Sequence, residues 1–292
     1  MMATSISPAF DAKKITAAVL VLAGLAAVYG KVFIRLVEDW IVDGNYSHGW
    51  LIIPIAAYFA WERRDKLTST PLRPSWFGLI VFAAGIFLLL AGLMGSEFFL
   101  SRVSLIITLA GIVLFLFGWA HLRILAFPLA FLVLMIPLPA IVFNKIAFPL
   151  QLLASQVGES AISAANIPVL REGNVLVLAN TSLEVAEACS GIRSLVSLIT
   201  LGLVFGYFAD PRGWVRTLIV ASTIPVAIVS NAARVAGTGI LAHYYGPSAA
   251  EGFFHEFSGW IVFIVAFVMI LAIQRVILRL APKPRVATAT PA

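Results

Sequence analysis

The sequence predicts an all-α polytopic membrane protein of about eight transmembrane helices, and three observations carry that prediction. The chain has 292 residues, of which 61% are hydrophobic and only 12% charged. A soluble domain carries about 25% charged residues. The mean hydropathy is +1.00. The apolar residues fall in long runs, each near the roughly 20 residues a helix needs to cross a bilayer. A membrane β-barrel would show short alternating segments instead. The net charge of +6 does not imply nucleic acid, because most Lys and Arg residues lie between the apolar runs, where the positive-inside rule requires them. The first run continues well past the core of a signal peptide, so removal of such a peptide is not expected.

The runs lie at 15–35, 48–62, 76–95, 102–119, 122–143, 190–208, 214–242 and 258–278. The second is short enough to be tilted or re-entrant. Lys13 and Lys14 precede the first run, and Arg63, Arg64, Lys66 and Arg73 follow the second. Arg123 follows the fourth, Arg212 and Arg216 the sixth, and Arg275, Arg279, Lys283 and Arg285 the last. Alternate loops are basic, which places them and both termini in the cytoplasm. Lys31 and Arg35 run against this pattern and are outnumbered. The loops at 36–47, 95–101, 144–189 and 243–257 then face outward.

The 144–189 segment is the largest outer element. Residues 144–166 have helical spacing with mixed polarity, as in a helix at the interface or packed on the bundle. Residues 169–186 alternate short apolar runs with turn residues and read as a small β-hairpin leading toward Cys189. Residues 1–281 read as one integral-membrane domain, and 282–292, with three prolines and few apolar residues, as a disordered cytoplasmic tail.

Cys189 is the only cysteine, so an internal disulfide is excluded. It is flanked by Glu184, Glu187 and Arg193, an unusual density of charge at a membrane edge. A thiol beside a cation or a helix N-terminus is stabilised as the nucleophilic thiolate. Alternating spans bring two further polar clusters to the same face: Asn231 with Arg234, and His255 with Glu256. His255 is the imidazole of the last outer loop, placed to move a proton. Arg234 supplies a permanent cation for a tetrahedral oxyanion. Asn231 lies three residues before Arg234, on the same helix face. Arg193, four residues after Cys189, is placed to hold the thiolate or a substrate carboxylate.

Each residue also has a plainer reading. A lone membrane cysteine is commonly a small packing residue. Arg234 within an apolar span costs about 2.5–3.5 kcal/mol on insertion scales, which favours a role, with a structural pair to Glu251 as the alternative. Glu184 and Glu187 fit pairing with arginines better than acid catalysis. His48, within Tyr-Ser-His-Gly-Trp, either lines the site or anchors the interface with Tyr46 and Trp50. No zinc-protease motif follows His255-Glu256, because position 259 is Gly. No nucleophile elbow, P-loop or metal-ligand spacing is present, so no metal or cofactor is expected. Asn180-Thr181-Ser182 fits a glycosylation sequon, which matters only in a compartment with that machinery.

Three blocks resemble the signatures of the exosortase/archaeosortase family: Glu187-Ala188-Cys189-Ser190-Gly191-Ile192-Arg193-Ser194, then Asn231-Ala232-Ala233-Arg234, then His255-Glu256-Phe257-Ser258-Gly259. Arg171-Glu172-Gly173-Asn174 and Tyr46-Ser47-His48-Gly49-Trp50 are similar to further blocks, so the resemblance covers residues 40–280. It implies a bacterial inner-membrane enzyme, in the form without an additional C-terminal soluble domain. The implied partners are exported proteins that end in a sorting signal: a short motif such as Pro-Glu-Pro, a hydrophobic helix and a basic tail. It further implies Cys189 as nucleophile, Arg234 as oxyanion or substrate-orienting group and His255 as acid/base. Membrane lipids surround the site, and water or a glycan or lipid acceptor would resolve the thioester. Two other classes stay open: a transporter or scaffold of an exopolysaccharide export system, and an acyltransferase using His255. Neither would depend on Cys189.

Overall fold

The computed structural model describes residues 12–179, 181–185, 192–246 and 253–281, with the backbone alone at 13–14, 192 and 253–258. The tail at 282–292 and the Cys189 block at 186–191 lie outside the described residues. The chain divides into two compact units, residues 1–137 and 138–292.

The first unit holds α1 (Ala12–Val42), α2 (Gly49–Glu62), α3 (Arg64–Ser69), α4 (Phe77–Met94), α5 (Phe98–Phe117) and α6 (Trp119–Phe131). Its tightest element is the α4–α5 hairpin. Gly78, Gly85 and Gly92 recur every seven residues on α4 and meet Phe115, Thr108 and Ser101 of α5. A side chain at Gly78 would collide with the Phe115 backbone, and one at Gly111 with that of Phe82. Small residues let helix backbones approach closely where lipid offers no hydrophobic drive to associate. On the outside of the hairpin, Ile80 and Phe87 are exposed, as suits a lipid-facing surface.

Polar ties fix α1 to this hairpin and to the turn after α6. The Tyr29 hydroxyl lies 2.7 Å from that of Thr108. Buried Arg102 pairs with Asp39 at 2.5 Å. The Trp40 indole N–H donates to the carbonyl of Met135 at 2.9 Å. α1 runs seven residues past the expected end of its span, because Glu38 and Asp39 do not interrupt the helix. Asp43 then stops it, its carboxylate accepting from the Asn45 amide at 2.8 Å.

The expected span at 122–143 is broken. α6 passes through a short 3-10 turn at Leu132–Met135 and ends before Pro137 and Pro139. Residues 140–143 instead open α7 (Ala140–Ala164). Proline has no N–H to donate and its ring clashes with the preceding turn, so two of them stop the helix that the apolar run continues.

The second unit holds α7, strands β1 (Val169–Glu172), β2 (Val175–Leu178) and β3 (Ser182–Glu184), and helices α8 (Ile192–Ala209), α9 (Gly213–Tyr245) and α10 (Phe253–Leu280). The strands form an antiparallel sheet in the order β1-β2-β3, the expected hairpin with a third strand. Leu198, Val226, Ala227, Ala266 and Ile270 bury one another where α8, α9 and α10 meet. At the turn into α9, the Arg212 guanidinium grips the Asp210 carboxylate at 2.6 Å. This ion pair holds Asp210 at about 2, below the 3.8 of an ordinary aspartate.

Among the described residues, six helices are long and apolar enough to cross a membrane: Ile15–Val42, Phe77–Met94, Phe98–Phe117, Ala140–Ala164, Gly213–Tyr245 and Gly259–Leu280. Trp119–Met135 and Arg193–Ala209 are shorter apolar helices. The chain is an all-α polytopic membrane protein with a small sheet.

Candidate active site

α9 carries Asn231 and Arg234. Asn231 and Arg234 stand three residues apart, almost one turn, on one face of this helix. Asn231 is buried and Arg234 half-buried. Small residues surround them in the sequence: Ala232, Ala233, Ala236, Gly237 and Gly239. Of these, Ala236 and Gly239 pack against α7. A side chain on Gly158 of α7 would come within 2.8 Å of Val235, and one on Gly239 would run into Ile162 of α7.

α10 meets Arg234 at a glycine. A Cβ at Gly259 would stand 3.6 and 3.9 Å from the two terminal nitrogens of Arg234 and 3.7 Å from its Cζ. An in-plane approach to the fork would leave the central carbon farthest. These near-equal distances therefore set the flat face of the guanidinium against Gly259. His255 precedes Gly259 by four residues on the same helix. One turn separates them, so the two positions share a helix face. The His255 side chain lies outside the described residues.

The sheet anchors the chain that leads to Cys189. Leu176, Leu178 and Val185 are buried with Ala154 and Ile162 of α7 and Val235 and Ala236 of α9. The Val185 amide donates to the Asn174 carbonyl at 2.8 Å. The Arg171-Glu172-Gly173-Asn174 turn latches this sheet to α7. Arg171 pairs with Glu159 at 3.0 Å, and the buried Ser155 hydroxyl donates to the Gly173 carbonyl at 3.0 Å. Gly173 has φ +65°, a left-handed conformation that glycine adopts without steric cost.

The other expected site residues are placed as follows. Cys189 and Glu187 lie outside the described residues. Arg193 is exposed in the first turn of α8, and Glu184 is exposed at the end of β3. His48 belongs to the first unit, where its Nε2 lies 3.2 Å from the Leu134 carbonyl oxygen. Among the described residues, no group of three His, Cys, Asp or Glu side chains is placed to hold a metal. Gly259, Glu159 and Ser155 were not anticipated as parts of this arrangement. Only Gly259 left a signal, as a glycine one turn after His255.

The chain matches the family described as transmembrane exosortase (Exosortase_EpsH) over residues 40–272. It belongs to the exosortase family. No curated protein and no solved structure matches the chain. The family match spans both units, from Trp40 on α1 into α10, and takes in the sheet and the Arg234–Gly259 contact. Family membership makes the chain a multi-pass membrane enzyme of protein sorting.

Proposed function

We propose that this exosortase is a cysteine peptidase or transpeptidase that removes the C-terminal sorting signal of exported proteins, with Cys189 as nucleophile. The observation that carries the reading is the Arg234 guanidinium lying against Gly259, one turn from His255. It joins two of the three blocks that the chemistry requires. The third is tethered nearby. Val185 is buried in the same cluster as Val235, the residue after Arg234, and Cys189 follows Val185 by four residues. Four extended residues reach at most about 14 Å. Cys189 precedes the described part of α8 by three residues.

In the proposed reaction, the signal's hydrophobic helix docks in the bilayer and its motif meets the site at the outer face. The Cys189 thiolate attacks the peptide carbonyl carbon. Negative charge develops on the carbonyl oxygen, and Arg234 stabilises it. The C–N bond breaks as His255 gives its proton to the leaving amine. A thioester remains on Cys189. Water, or an amine or hydroxyl of a glycan or lipid, then attacks that thioester. His255 takes the attacking group's proton and the Cys189 thiolate leaves. Asn231 orients Arg234, and Arg193, Glu187 and Glu184 bind or orient the substrate beside the thiol. The enzyme sits in the bacterial inner membrane with both termini in the cytoplasm.

Capture of the thioester tests this. Membranes containing the enzyme and a reporter with a C-terminal sorting signal are treated with hydroxylamine, which converts a thioester to a hydroxamate. A hydroxamate at the reporter's new C terminus is expected. A C terminus carrying only carboxylate at every hydroxylamine concentration would overturn the thioester.

A further inference from the structure

Two openings lie along one seam of the first unit, between α1 and the α4–α5 hairpin. The first is an apolar cavity of about 370 Å³, bounded by Leu20, Gly24 and Val28 of α1, Phe82 of α4 and Phe115 of α5. Tyr29 and Thr108 also border it, and their hydroxyls bond to each other at 2.7 Å. Gly24 faces open space, with nothing within 4 Å of a Cβ placed there.

The second opening is a small cleft farther along α1, lined by Lys31, Arg35, Phe98 and Arg102. Asp39 already pairs with Arg102. Lys31 and Arg35 are exposed, and among the described residues no acid forms an ion pair with either. The Arg35 guanidinium lies 5.2 Å over the Phe98 ring. Glu38 lies three residues beyond Arg35, and Glu97 immediately precedes α5. Any preference for an anion therefore rests on the two cations of the cleft, not on the net charge of the region.

Depth in the bilayer relates the two openings. The apolar stretch of α1 begins at Ile15. Arg35 lies twenty residues on, or about 30 Å at 1.5 Å per residue, the thickness of the hydrocarbon core. Arg35 thus stands at the level of lipid headgroups, and Lys31, about 6 Å deeper, reaches that level through its long side chain. The part of α1 that borders the cavity, Leu20 to Val28, lies about 10–22 Å below Arg35, at the depth of acyl chains.

We propose that this seam binds one anionic phospholipid, with its phosphate on Lys31 and Arg35 and an acyl chain in the cavity. The site gives a role to the two cations that run against the charge pattern of the loops. A zwitterionic lipid carries its own cation, which competes for the phosphate, so the seam prefers a lipid without one.

The test uses the full chain purified in detergent. Native mass spectrometry and thermal unfolding are read while phosphatidylglycerol or phosphatidylcholine of matched chains is titrated. Phosphatidylglycerol is expected to be retained as a single adduct with about 30-fold preference, as two interfacial cations supply. The Lys31→Gln/Arg35→Gln variant should lose that preference while still binding both lipids weakly. Gly24→Leu projects into the open cavity and improves the helix. It should weaken binding of both lipids while the lipid-free unfolding midpoint holds or rises. Equal retention of the two lipids by wild type would overturn the proposal. So would an unchanged preference in the double variant, unchanged binding in Gly24→Leu, or equal stabilisation by inorganic phosphate alone.

Discussion

The guanidinium of Arg234 presents its flat face to Gly259, 3.6–3.9 Å from where a Cβ on that residue would stand. The contact joins two sequence blocks on different helices, α9 and α10. A longer side chain at Gly259 would occupy the space of the cation.

Substitution at Gly259 therefore depends on size. Gly259→Ala adds one methyl at 3.6 Å and should keep most reporter cleavage. Gly259→Leu should displace the guanidinium and lower cleavage by about 100-fold, the scale of a misplaced catalytic group. Equal activity of the two variants, at equal abundance in membranes, would remove the contact from the site.

Arg234 should tolerate neither loss of charge nor change of shape. Arg234→Gln is expected to reduce the cleavage rate by about 100- to 1000-fold, the usual effect of losing an oxyanion donor. Arg234→Lys keeps the charge but not the planar fork and should recover only part of the rate. Single-turnover cleavage, with the unfolding midpoint as a control for folding, checks both.

The sheet latch is a matter of stability. Gly173→Ala forces a Cβ into the left-handed conformation at φ +65°, at a cost of about 1–2 kcal/mol. Gly173→Asn should cost less, because asparagine visits that region more readily. Both should lower the unfolding midpoint in detergent, in that order.

Much of this arrangement was legible in the sequence, for identifiable reasons. Apolar runs of membrane length mark most of the helices, because lipid demands them. Alternating apolar and turn residues mark the sheet. The break at Pro137 and Pro139 was hidden within a continuous apolar run, where hydropathy and backbone chemistry disagree. The heptad of Gly78, Gly85 and Gly92 is visible as spacing, but only packing shows that it faces α5. Arg234 stood out as a charge within an apolar run, whereas Gly259 was visible only as part of the His255 block. The Arg171–Glu159 pair joins a turn to a helix twelve residues earlier. The sequence offers several other acids for that arginine.

The Asp210–Arg212 pair sets a pH dependence. The carboxylate is held at about 2, below its ordinary 3.8, so the folded chain binds its proton less readily than the unfolded chain. The pair's stabilisation is thus full above pH 4 and is lost as pH falls toward 2. Asp210→Asn should unfold at a lower temperature than wild type at neutral pH. The gap should persist down to about pH 4 and narrow below it. A gap independent of pH across that range would assign the effect to packing alone.

The most direct measurement is reporter cleavage in membranes by wild type and Cys189→Ala at matched abundance. The reporter carries a C-terminal signal of short motif, hydrophobic helix and basic tail. Shortening of the reporter by wild type and none by Cys189→Ala is the predicted result. Cleavage that continues without the thiol would contradict the assignment of Cys189 as nucleophile.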